Sequence, residues 1–476
     1  MSQAKISHMT LNQIKDFLPQ AQWINGLPSD QEVQRLMSDS RQILPGDVFI
    51  ALRGEKYDAH DFLTDVASKG AIACLISSAD QLPSNCLGIL VSDTHEALQE
   101  LAAEWKKHCS KNALKHVAVV TGSNGKTTVK GMIQSIFNQA VGESNALATQ
   151  GNFNNDIGLP LTLLRLQLQH QLAVVELGMN HPGETAQLAK IANANIALIN
   201  NAQREHQEFM ATVEAVAKEH GLAIEALPTD GVAVFPADSE YTGYWKQIAG
   251  SRKVIDFAFN QTASVEGHWI DSSKNQFEVK TSQGSINVSL NILGEHNANN
   301  ALAAAAVGIA AGISLDAIQK GLEAFEPVSG RMQHHQLNSV TTLIDDSYNA
   351  NPDSVRAAVD VLSKQAMPTW LVLGDMGEVG EQGPEFHREV GSYAGEKGIR
   401  QLFATGELSK EAVRAYTLNP KSKGSAQHFE DMNDLCTELK KSLKARPVNE
   451  EALILVKGSR FMRMERVVQA LAEEIH

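Results

Sequence analysis

The run His116-Val-Ala-Val-Val120 leads straight into Thr121-Gly-Ser-Asn-Gly-Lys-Thr-Thr128. That order reads as a strand, a glycine turn and the start of a helix. Gly122 and Gly125 let the backbone amides around Ser123 and Asn124 close on a polyphosphate. Lys126 adds a point charge for the outer phosphates. Thr127, followed by Thr128, offers a hydroxyl to the Mg²⁺ that travels with ATP. The general pattern has a glycine five positions before Gly125, where this chain has Val120, so the match is to a variant of the loop. A short Gly-Lys-Thr also occurs in ordinary loops; the apolar run before it and the helix-compatible residues after it favour the nucleotide reading.

A strand that feeds a helix through such a loop belongs in an α/β unit, and 476 residues are too many for one core. Residues 1–112 form a first unit, with apolar strands at 47–52 and 70–76 and a helix over 94–108. Polar residues 106–115 read as the link to the next unit. Residues 113–325 alternate strands (117–120, 172–176, 196–200, 231–235) with helices, which implies a largely parallel sheet. Within this unit, 251–293 turns to short β-like runs, a small antiparallel insert. Residues 326–476 repeat the alternation, with strands at 341–345, 370–374, 401–405 and 452–456. The expected fold is α/β in three domains: a small N-terminal α/β domain, a central P-loop ATPase-like domain with a β insert, and a Rossmann-like C-terminal domain.

Composition narrows the partners. The formal net charge is −14 and no long basic run occurs, which argues against nucleic acid and anionic membranes. No apolar stretch reaches spanning length, and 298–311, rich in alanine, reads as a buried helix. Cys74, Cys86, Cys109 and Cys436 are far apart in sequence, with no CxxC pair. The first residues lack the pattern of a secretory leader. The expectation is a soluble, reduced, cytoplasmic monomer.

Ligands of parallel sheets gather at the carboxyl ends of the strands, and polar clusters follow four of the predicted ones. Glu176 closes one strand and could hold Mg²⁺ against phosphate oxygens, or cap a helix. His206, after Asn201-Ala-Gln-Arg-Glu, could meet a metal or phosphate, or be a surface histidine. Asn297 and Asn300 open a helix on one face and could read an adenine edge, or cap that helix. Asp345-Asp346-Ser-Tyr-Asn-Ala-Asn-Pro352 could contact nucleotide or metal, or form a turn before the proline. Gly374-Asp-Met-Gly-Glu378 poses the same choice.

In order along the chain, Thr121–Thr128, Glu176, His206, Gly294-x-His-Asn-x-x-Asn300 and Gly330-Arg331 resemble the shared pattern of the Mur ligase family, the ATP-dependent amide-forming enzymes of peptidoglycan precursor synthesis. The resemblance spans essentially the whole chain. Gly151-Asn-Phe-Asn-Asn-Asp-Ile-Gly-Leu-Pro-Leu-Thr162, 345–352, 371–378, Phe386-His-Arg388, Asp39-Ser-Arg41 and 45–52 resemble the branch that adds a dipeptide; the Asp-Asn-Pro-Arg of the diaminopimelate-adding branch is absent.

The resemblance implies that UDP-N-acetylmuramoyl-tripeptide, D-alanyl-D-alanine and ATP give the pentapeptide precursor, ADP and phosphate through an acyl phosphate. It implies that Lys126 and the loop amides hold the β- and γ-phosphates, that Thr127, Glu176 and His206 hold Mg²⁺, and that Asn297 and Asn300 contact adenine. Arg331 and Asp346 would close over the nucleotide from the third domain. Asn152, Asn154 and Asn155 would face the muramoyl peptide, and Ser40 and Arg41 the uridine diphosphate. One position departs. The family usually has a CO₂-carboxylated lysine fourteen residues after the His206 equivalent, and this chain has His220 there. Neighbouring Lys218 or Glu219 could supply the missing carboxylate. Other ATP-dependent amide ligases, such as folylpolyglutamate synthetases, lack the first unit, and a non-enzymatic P-loop protein is the remaining rival.

Overall fold

A computed structural model describes residues 9–205, 207–447 and 449–473. Three sheets follow one another along the chain. The first has five strands, in the spatial order Gln22–Ile24, Leu87–Leu90, Ala73–Ile76, Val48–Ile50, Leu36–Met37, and only the Gln22–Ile24 edge is antiparallel. The second has nine. Third from one edge, His116–Thr121 lies between Leu172–Glu176 and Ile196–Ile199, parallel to both. The third has six, with Thr341–Asp346, Ala452–Lys457, Thr369–Gly374 and Gln401–Thr405 side by side and parallel. Strands such as Leu172–Glu176 and Ala452–Lys457 are buried at every residue, because helices cover both faces of a parallel sheet.

The strand that feeds the nucleotide loop is therefore not alone at the sheet's carboxyl edge. Glu176 ends one neighbour and Asn200 follows the other. The loop passes so close to Asn200 that a Cβ on Gly122 (φ 136°) would sit 3.0 Å from the Asn200 Cβ. The helix Lys126–Val141 then buries Val129, Met132, Ile133 and Ile136 against the helices Glu295–Ala310 and Leu315–Glu323. That apolar anchorage fixes the loop's exit.

The small antiparallel insert is present: Gln276–Thr281 pairs antiparallel with both Val265–Asp271 and Gly284–Ser289, and the three extend the edge of the nine-stranded sheet. One sequence expectation changes. Residues 106–110 are not a linker. They end the helix Thr94–Ser110, whose Leu98, Leu101, Ala102, Trp105 and Cys109 form one buried stripe. Lys106 is buried within it and donates to the Asn193 carbonyl of the central domain; burial pulls its pKa down to about 8. Cys74 and Cys86, distant in sequence, meet as thiols with sulfurs 3.6 Å apart in the first domain's core. Among the described residues no helix is long and apolar enough to cross a membrane.

Candidate active site

A cavity of about 1070 Å³ opens where the carboxyl edges of the second and third sheets face each other. The nucleotide loop, Asn154, Glu176, Glu205, Arg331 and Lys457 are among its walls.

The loop is braced from behind. The Ser123 amide donates to the Asn201 carbonyl (3.2 Å), and the Asn124 amide to Asn201 Oδ1 (2.8 Å). Asn200 Nδ2 donates to the Asn124 carbonyl and to Asn300 Oδ1, both at 2.8 Å. Gly125 has φ 78°, and a Cβ there would lie 2.5 Å from Asn300 Oδ1, so only glycine fits. It opens the helix Lys126–Val141 with no side chain capping the first turn, which leaves amide donors and the positive end of the helix dipole facing the cavity. Lys126 folds back on its own loop. Its ammonium donates to the Gly122 carbonyl, to the Ser123 carbonyl (3.3 Å) and to Glu205 Oε2 (3.2 Å).

Glu176 is buried. Its Oε1 accepts from Asn154 Nδ2 at 2.8 Å, while Oε2 has no hydrogen-bond partner. A buried carboxylate oxygen in that state is destabilising unless a cation completes it. Lys130 lies close enough for the Glu176 charge to act on it, though burial dominates and lowers its pKa; its ammonium donates to the Thr149 carbonyl (2.9 Å). Thr127 Oγ1 accepts from Arg331 Nη2 at 3.3 Å. The donor set fits a hard divalent cation. Among the described residues no three His, Cys, Asp or Glu side chains converge, so phosphate oxygens and water would complete its shell.

The third domain brings Arg331 stacked on Tyr348, guanidinium 4.0 Å from the ring centre, with Nε buried and unpartnered. Asp346 Oδ2 accepts from Lys457 Nζ at 2.5 Å. Asp345 takes the turn alternative: its oxygens accept from Ser347 and from the Gly330 amide. Asp375 likewise accepts from the Leu408 and Ser409 amides.

Several expected roles shift. Asn154 holds Glu176 in place, and Asn155 Oδ1 accepts from the Gly158 amide, leaving exposed Asn152 the least engaged of the three. Asn297 Oδ1 accepts from Asn300 Nδ2 (3.1 Å) and its Nδ2 donates to the Leu293 carbonyl (2.7 Å), so both asparagines line the cavity while bracing the loop through Asn200. Ser40 and Arg41 are not in the cavity wall. The Arg41 side chain is 86% exposed and pairs with Asp39, holding that carboxyl well below the usual range. His206 lies outside the described residues. Glu219 does not reach the loop: its two oxygens accept from the Gly183 (3.0 Å) and Thr185 (2.9 Å) amides, capping the neighbouring helix Glu184–Ala192. Lys218 is exposed and pairs with Glu214.

Sequence reading missed Lys457, Arg204 and Glu205. Lys457 ends an apolar strand, a signal that was available. Arg204 and Glu205 sit in an irregular loop with no pattern to mark them.

Models of three Mur ligase segments match the chain in order: the Mur ligase family catalytic domain over residues 32–106, the middle domain over 120–308 and the glutamate ligase domain over 330–460. The chain belongs to the Mur ligase family. It is 39% identical to the UDP-N-acetylmuramoyl-tripeptide–D-alanyl-D-alanine ligase of Escherichia coli K12 over 98% of either chain. The enzyme of that name from Haemophilus influenzae is 36% identical, covering 93% of this chain and 94% of its own. The crystal structure of MurF from Acinetobacter baumannii superposes with a TM-score of 0.90 at 31% identity, over 99% of this chain and 100% of that one. The MurF ligase of Thermotoga maritima in complex with ADP gives 0.78 at 25% identity, over 93% and 97%. The three-sheet α/β architecture is thus that of a Mur ligase.

Proposed function

We propose that this chain joins D-alanyl-D-alanine to UDP-N-acetylmuramoyl-tripeptide with ATP as the driving reactant. One observation carries the reading. Lys126 and the unpartnered Glu176 oxygen face one cavity with Arg331 of the third domain, in a chain that matches the E. coli ligase along 98% of its length.

A carboxylate is a poor electrophile. Transfer of the γ-phosphoryl group to the tripeptide carboxylate gives ADP and an acyl phosphate. The dipeptide amine attacks that carbonyl, loses a proton, and the tetrahedral intermediate expels phosphate. Catalysis is then mainly positioning and charge neutralisation. Lys126 exchanges its loop carbonyls and Glu205 for the β- and γ-oxygens. Thr127 and Glu176 would hold Mg²⁺, which would supply further charge neutralisation to the polyphosphate. Arg331 meets the transferring group from the opposite wall, and Asn154 keeps Glu176 oriented. The muramoyl peptide enters past Asn152, and its uridine diphosphate extends to the first domain. All these residues come from one chain, so a monomer suffices, and the precursors place the reaction in the cytoplasm.

The test is phosphate release from ATP over a panel of UDP-muramoyl peptides and amines. Release should need both the tripeptide acid and D-alanyl-D-alanine. Equal turnover with free diaminopimelate or D-glutamate would assign the protein to another ligation. Release independent of any amine would remove it from the ligases.

A further inference from the structure

The nucleotide site contains a second carboxylate that the mechanism above leaves unused. We propose that Glu205, positioned by His220, holds a second divalent cation on the outer phosphates of the bound nucleotide. The inference rests on the ATP reading of the loop.

The geometry is built, not incidental. The Glu205 side chain is 5% exposed, with Oε1 2.9 Å from His220 Nε2 and Oε2 3.2 Å from Lys126 Nζ. His220 is fully buried, and its Nδ1 lies 2.8 Å from Thr121 Oγ1, the last side chain of the strand that feeds the loop. With the proton on Nε2, a neutral imidazole donates to Glu205 and accepts from the Thr121 hydroxyl. The chain Thr121–His220–Glu205 therefore fixes one carboxylate oxygen and aims the other at the phosphate lysine.

Nucleotide binding changes the charge balance there. Once Lys126 turns to the β- and γ-phosphates, Glu205 loses that cation and faces polyphosphate. Two like charges a few ångströms apart in a poorly solvated site repel strongly. A divalent ion shared between carboxylate and phosphate oxygens removes the conflict. The topology supplies two such positions. Glu176 ends the strand on one side of His116–Thr121, and Glu205 follows the strand on the other, so the carboxylates flank the loop from opposite sides. The other acidic candidate near His220, Glu219, is consumed as a helix cap.

The experiment counts Mn²⁺ bound to the full-length protein with a non-hydrolysable ATP analogue, by electron paramagnetic resonance. Wild type should bind two ions per nucleotide. Glu205→Gln should keep the first and weaken the second about tenfold or more, and His220→Ala should weaken the second by roughly tenfold, as loss of a ligand's hydrogen-bonded support does. His220→Gln, which can still donate to Glu205, should restore it in part. Glu205→Asp retracts the carboxylate while keeping its charge, and reports the same loss should the glutamine variant not fold. Retention of both ions within about twofold in the folded Glu205 variants would overturn the proposal. So would tighter nucleotide binding with an unchanged ion count, the result expected if Glu205 only neutralises Lys126. A wild type that binds the analogue with one ion refutes this proposal alone; one that binds no nucleotide refutes the ATP reading itself.

Discussion

The central domain meets its two neighbours in different ways. Against the first domain it presents a greasy seam. The helix Thr94–Ser110 lays Leu98, Leu101 and Trp105 into one core with Leu159, Leu163 and Leu166, and the Trp105 indole donates to the Leu166 carbonyl at 3.0 Å. Against the third domain an aliphatic cluster also continues, through Ala350, Val355 and Val361, but the contacts nearest the cavity are polar. Arg204 bridges Asp353 (2.5 Å) and Glu389 (2.7 Å), Asn351 Nδ2 donates to Asn124 Oδ1 (2.9 Å), and Arg331 donates to Thr127. Two of these partners, Asn124 and Thr127, belong to the nucleotide loop itself. Apolar burial holds an interface whatever is bound. Contacts made to phosphate-binding groups compete with, or are completed by, ligand. The first domain is therefore docked as part of the frame, while the third is docked by groups that substrate can re-pair.

The largest expected effect tests the frame. Trp105→Ala should lower unfolding free energy by about 3–5 kcal/mol, the usual loss for a fully buried tryptophan, while turnover per folded molecule is retained. A denaturant titration and an active-site count separate the two. Lys126→Ala comes next and acts the other way. It should leave the melting temperature almost unchanged and slow ligation by roughly 3 kcal/mol, comparable to losing an oxyanion donor. Ligation within tenfold of wild type would remove Lys126 from the phosphate site. Arg204→Ala probes the polar dock. We expect kcat/KM to fall by about 1–2 kcal/mol with little loss of stability, since it breaks one side of a partly buried ion-pair network. A matching effect of high salt on the wild type, absent in the variant, would tie the loss to those charges.

The smallest effect returns to the greasy seam. Burial holds Lys106 near a pKa of about 8 against an ordinary value of 10.5. A cationic group with a depressed folded pKa is a liability below that value, relieved as pH rises through the folded pKa towards the unfolded one. Wild type should therefore gain roughly 1 kcal/mol on Lys106→Met between pH 7 and about pH 8.5. A constant difference across that window would mean that Lys106 is solvated.

The frame was more legible in the sequence than the dock. Strands buried on both faces are continuous apolar runs, so Leu172–Glu176 and Gln401–Thr405 could be read from composition alone, and the glycine loop carries its own steric signature. The end of the seam helix is less legible, because Lys106, Lys107 and the polar residues after them read as a link although the stripe from Leu98 to Cys109 keeps helical spacing. The asparagines hold back something of a different kind. Asn154, Asn297 and Asn300 line the cavity and also satisfy Glu176 and the loop, a bracing role that only three-dimensional neighbours reveal. His220 was visible as a polar residue on the buried face of a helix with Val216, Ala217 and Ile224. Its partner Glu205 comes from a loop fifteen residues earlier and has no pattern at all.

The account stands on phosphoryl transfer to the tripeptide carboxylate, and that step can be read directly. UDP-N-acetylmuramoyl-tripeptide labelled with oxygen-18 in its terminal carboxylate should be turned over with ATP and D-alanyl-D-alanine, and the released phosphate analysed by mass spectrometry. An acyl phosphate moves one carboxylate oxygen into phosphate at each turnover, so the label should appear there in proportion to amide formed. Amide formation with unlabelled phosphate would contradict the mechanism.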